Sequence, residues 1–131
     1  MCLPRLFIGP VSKNTIDSVI YLCNAGENIG FIPSRRQIDW DKGYVNNWST
    51  EEFINYVKNQ NSKIIIERDH AGPSQGLLPD DGTNSIIEDS KKGFNLIHID
   101  PWKHYEDIDH ACESTVFLIE KCLEFNPKMK F

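Results

Sequence analysis

Four times along the chain, a short run rich in branched and aromatic residues gives way to a stretch where apolar residues recur every three or four positions. Leu6–Gly9 is followed by Thr15–Cys23, in which Ile16, Val19, Ile20 and Cys23 fall on one helical face. Ile29–Ser34 precedes Ser49–Lys58, where Ser49-Thr50-Glu51-Glu52 has capping-box spacing and Phe53, Tyr56 and Val57 form the apolar stripe. Ile64–Asp69 leads through a Gly/Pro/Asp loop to a short helix at Thr83–Lys92, which Gly93 is placed to end. Leu96–Asp100 leads to a long helix at Ile108–Phe125, with Ala111, Thr115, Leu118, Ile119 and Cys122 on its inner side. Strands alternating with helices predict parallel βαβ units with the helices outside the sheet.

Polar residues inside the strands sharpen this expectation. Alternation places His98 and Asp100 on one face of Leu96–Asp100, and Glu67 and Asp69 on one face of the preceding strand. A doubly wound sheet buries both faces under helices and seldom tolerates ionisable groups on two strands, whereas the upper lumen of a barrel opens into a site. The pattern therefore predicts an α/β fold of the partial TIM-barrel kind, with residues 1–131 as a single domain holding about four N-terminal βα units. A full barrel needs at least ~200 residues. The expectation is a truncated product, or a missing half supplied by another chain or another copy.

Fourteen basic and nineteen acidic residues leave a formal net charge of −5, which offers no electrostatic footprint for nucleic acid or an anionic membrane. No apolar run approaches the ~20 residues of a membrane span, and the start lacks a secretory signal, so the cytoplasm is the expected compartment. Cys2, Cys23, Cys112 and Cys122 show no paired or metal-finger spacing and read as buried reduced thiols. Glycine-rich nucleotide motifs and a nucleophile elbow are absent from the sequence.

The chemistry is concentrated where Ile64-Ile65-Ile66 becomes Glu67-Arg68-Asp69-His70 and then Ala71-Gly72-Pro73. An Asp and a His at a strand's carboxyl end put a proton-transfer group beside a potential metal ligand; a capped turn is the competing reading. His98 and Asp100 follow from the adjacent strand, as outer partners of a metal-bound histidine or, for His98, as an interior histidine paired with Glu67. Arg35 and Arg36 could hold a phosphate through forked donors or simply pair with Asp39 and Asp41. The loop Asp39–Trp48 has the composition of a lid over a sugar, or packs its two tryptophans over the barrel rim; the segment Ser74–Gly76 and Asp80–Asn84 reads as a solvated turn whose carboxylates could instead touch a cation. His104 and His110 read as surface residues.

Asp69-His70-Ala71-Gly72-Pro73, Gln37, Gly43-Tyr44, Glu52-Phe53 and Gly93-Phe94-Asn95-Leu96-Ile97-His98-Ile99-Asp100 together resemble the class II tagatose-bisphosphate aldolase family, in its non-catalytic or accessory subunit branch. The resemblance implies a TIM barrel in which Asp69 is the acid/base and His70 a zinc ligand; Arg35, Arg36, Gln37 and Asp100 are the residues expected to bind a sugar phosphate. It implies reversible aldol cleavage of a ketose phosphate, with the metal polarising the carbonyl and stabilising the enediolate. Arg68 stands where that family tends to have glycine, and Arg35-Arg36 replace small polar residues. The family's other zinc ligands and phosphate loops lie in later strands. The resemblance thus leaves two roles: an aldolase half that works when the barrel is complete, or a non-catalytic subunit that binds sugar phosphate or supports a catalytic partner, including a homo-oligomer.

Overall fold

The computed structural model describes residues 3–131, so the expectation for Cys2 lies outside the described residues. Among the described residues eight elements alternate: β1 (Leu6–Ile8), α1 (Lys13–Asn24), β2 (Ile29–Phe31), α2 (Thr50–Gln60), β3 (Glu67–Ala71), α3 (Thr83–Lys92), β4 (Leu96–Ile99) and α4 (Ile108–Phe125). β1 pairs with β2 and β3 with β4, both in parallel. Parallel bridges Phe31↔Ile66 and Ser34↔Asp69 join the two small sheets, so the strands lie side by side in chain order. Beyond β4, Lys130 makes a further parallel bridge to Leu96.

Local chemistry explains most boundaries. Ser12 caps α1 through the Thr15 amide, Ser49 and Glu52 complete the expected capping box on α2, and Gly93 ends α3 in a left-handed conformation (φ 113°). β2 is shorter than the expected Ile29–Ser34 because Pro33 has no amide proton to add to the ladder. Pro33 still contributes its carbonyl, which accepts from the Asp69 amide at 3.1 Å. β3 begins and ends later than expected: Ile64 and Ile65 precede regular pairing, and the strand runs on past Asp69 to Ala71.

Apolar residues of all four helices meet one face of the strands. Ile16, Ile20, Phe53 and Val57 pack with Phe31 and Ile66, and Ile86, Leu118 and Cys122 pack with Ala71 and Ile97. Each helix also touches the next along the chain. Helices follow strands in one direction on one side, the arrangement that right-handed parallel crossovers produce. The opposite face carries Phe7 over Gly30, then Glu67 and the exposed His98, and no helix covers it among the described residues. Cys122 is buried, which pushes its thiol up to about 11, but Cys112 is exposed, contrary to the expectation for that thiol, because it lies on the outer side of α4.

Two charged clusters sit where a core would ordinarily be apolar. Arg68 is fully buried; its guanidinium forks onto Asp89 of α3 at 2.7 Å twice, donates to the Ile38 and Pro33 carbonyls, and stacks 4.6 Å from the Phe94 ring. Burial pushes the Asp89 carboxyl up, while Arg68 pulls it back towards ionisation. Asp80 is ion-paired rather than solvated: it binds Arg35, so the loop before α3 is tied to the loop after β2.

Candidate metal centre at the carboxyl end of the sheet

Adjacent residues of a regular strand face opposite sides, so Asp69 and His70 could not serve one site in an ideal β3. The register solves this. Arg68 opposes Ile97 and Ala71 opposes Ile99, which leaves one extra residue on β3, a bulge. His70 occupies the left-handed region at φ 48°, a conformation a non-glycine residue adopts only where its surroundings hold it. The bulge turns its ring to the uncovered face, beside Asp69 and beside His98 of β4.

One ligand atom each from Asp69, His70 and His98 then lies within 4.8 Å of the others. Asp69 Oδ1 is 3.4 Å from His70 Nε2, and the two imidazole rings are 4.9 Å apart between centroids. Asp100, at the end of β4, closes the arrangement from behind: its carboxylate is 2.6 Å from His70 Nδ1. An acceptor at that distance places the neutral ring's proton on Nδ1 and leaves the Nε2 lone pair, 3.4 Å from Asp69 Oδ1, free for the cluster. Asp100 is itself positioned by its amide, which donates to the Ala71 carbonyl at 2.7 Å. Glu67, two residues before Asp69, lies further down the same face; burial holds its carboxyl above the usual range, His98 opposes this and Asp69 adds to it.

The structure thus brings Asp69, His70 and Asp100 together, and adds His98 as a member of the cluster rather than an interior residue. The arginines divide. Arg35 is 1% exposed, and its guanidinium is occupied by Asp39, Asp80 and the Gly72 carbonyl, so it fastens loops instead of facing the site. That fully paired state holds its charge above the ordinary range: burial opposes it, but Asp80 and Asp39 outweigh burial. Arg36 is exposed at the mouth. Gln37 turns inward, its Oε1 accepting from the Ser34 amide at 2.9 Å, which makes it a brace for the loop after β2. Trp48 of the expected lid packs 4.8 Å from the Tyr56 ring on α2, whereas Trp40 and Tyr44 stay exposed.

Two imidazoles and a carboxylate are donors that suit zinc and related divalent ions, and the acceptor behind His70 is the outer partner such ligands ordinarily have. The residues present therefore fit the metal that the resemblance implies.

Compared with protein-family models and with curated proteins, the chain matches none. Among solved structures it is similar to the crystal structure of a probable tagatose 6 phosphate kinase from Sinorhizobium meliloti 1021, with a TM-score of 0.75 at 17% identity. The match covers 92% of this chain and 36% of that one, so the chain spans about a third of its relative's length. At that identity the likeness is one of fold. No helix among the described residues is long and apolar enough to cross a membrane.

Proposed function

We propose that this chain is the first half of a TIM barrel of the class II aldolase type, acting on a ketose phosphate or bisphosphate by metal-dependent aldol cleavage once later strands complete the lumen. The observation that carries the reading is the convergence of Asp69, His70 and His98 on the carboxyl end of adjacent parallel strands, with Asp100 orienting His70. Strands and helices in chain order, a sheet face without helices, and the bridge from Lys130 beyond β4 support the half-barrel. The structural neighbour, named for a tagatose phosphate, supports the substrate class.

His70 and His98 would hold the metal, beside Asp69. When bound, a divalent ion supplies Lewis-acid polarisation of a carbonyl. The residues do the rest. Asp69, at the mouth and about one-third exposed, takes the proton of the substrate hydroxyl onto its carboxylate as the carbon–carbon bond breaks and returns it in the condensation direction. Asp100 fixes the tautomer of His70, and the bulge holds His70 beside Asp69 so that neither must reorganise during a turnover.

Zinc titration by calorimetry, paired with a retro-aldol assay on ketose bisphosphates, tests this. One equivalent of zinc is expected, abolished by His70→Ala and weakened about 10- to 100-fold by Asp100→Asn. Asp69→Asn is expected to lower turnover more than zinc affinity. A chain that binds no zinc, or that binds it equally well without His70, contradicts the proposal.

A further inference from the structure

The loops that follow β2, β3 and β4 surround a cleft of about 340 Å³ lined by Arg36, Pro73, Ser74, Gln75, Lys103 and His104. An arginine, a lysine and an imidazole share its wall and no carboxylate does, in a chain whose formal net charge is −5. The other basic groups near the site are spent. Arg35 and Arg68 are both buried and paired with aspartates, whereas the side chains of Arg36 and Lys103 are exposed and engage no acid among the described residues.

The cleft is coupled to the metal centre through one side chain. Gln75 Nε2 donates to the Asp100 carbonyl at 3.2 Å, and the Asp100 carboxylate binds His70. A ligand whose reacting end lies at Asp69 therefore has, on the same rim of the sheet, a polar recess of opposite charge for an anionic end.

We propose that this cleft is a subsite for one phosphate group of the substrate, additional to the phosphate loops that the resemblance puts in later strands, a proposal that rests on the sugar-phosphate reading for the identity of the ligand and on the cleft's own chemistry for its charge. Arg36 offers a planar fork matched to two phosphate oxygens, Lys103 a mobile point charge, and Ser74 and His104 further polar groups at the wall. The rigid neighbour Arg35 anchors the loop from which Arg36 projects.

The test is a titration of the 131-residue chain with inorganic phosphate at constant ionic strength, followed by the NMR signals of the His104 ring, and repeated on Arg36→Ala/Lys103→Ala. Both substituted residues are exposed, and circular dichroism verifies that the variant is folded. A saturable shift is expected in the parent, with affinity at least about tenfold weaker in the variant, equivalent to about 1.4 kcal/mol, and with zinc binding unchanged. Absence of saturation, or equal affinity in both proteins, overturns the subsite and leaves the metal centre standing. Phosphate binding that depends on Arg36 and Lys103 in a chain unable to bind zinc upholds the cleft and removes the aldolase reading.

Discussion

At the scale of single residues, a charge in this protein is defined by what encloses it. Arg35 and Arg36 are neighbours of identical type, yet one is buried against Asp39 and Asp80 and the other is exposed at a cleft. Asp80 shows the pH consequence. Burial pushes its carboxyl up, but hydrogen bonding to Arg35 and the charge of Arg35 outweigh this, so its folded value lies below the ordinary one. A depressed carboxylate contributes stability that is fully present above its unfolded value, about 3.9, and is lost as pH falls through the folded value. Asp80→Asn is therefore expected to unfold at lower urea concentration than the parent at pH 7, with the gap narrowing below about pH 4. A gap that stays constant down to pH 2 contradicts this account of Asp80. The arginine pair also shows a limit of sequence reading: nothing in Ser34-Arg35-Arg36-Gln37 says which guanidinium turns inward, because Asp80, a partner that decides it, is 45 positions away.

At the scale of elements, periodicity and capping signals gave all eight segments in order, and α3 and α4 have the expected bounds. Strand ends were harder to read, because parallel pairing is set by neighbours distant in the chain. The bulge in β3 left no signal at all: Asp69-His70 looks like any strand exit until Ile97 and Ile99 of β4 impose the count. His98 on β4 therefore reads from sequence only as an outer partner or an interior histidine, and its place beside His70 depends on the bulge. A second element-scale feature is the bond between β3 and α3 through Arg68 and Asp89, both fully buried. Removing one partner strands a charge, so Asp89→Asn or Arg68→Met is expected to cost about 3–5 kcal/mol in denaturant unfolding. Replacing both with apolar residues, Arg68→Met/Asp89→Leu, is expected to cost much less than the sum, because no charge is left behind. Additive losses contradict an ion pair as the link and point to packing alone.

At the scale of the whole molecule, the four βα units cover one face of the sheet and leave the other, with Glu67, Asp69, His70 and His98, unclosed. The alternation of strands and helices and the polar strand positions carried this much of the architecture in the sequence. The register in which the strands pair could be seen only in three dimensions. The proposal places the site's metal ligands on β3 and β4, so the chain needs later strands for a closed lumen but not for the metal. The most direct measurement is zinc X-ray absorption on the zinc-loaded 131-residue chain. The account predicts a coordination sphere with two imidazoles, reduced to one in His98→Ala and accompanied by nitrogen or oxygen donors throughout. A spectrum with no imidazole scattering, or one left unchanged by His98→Ala, would contradict it.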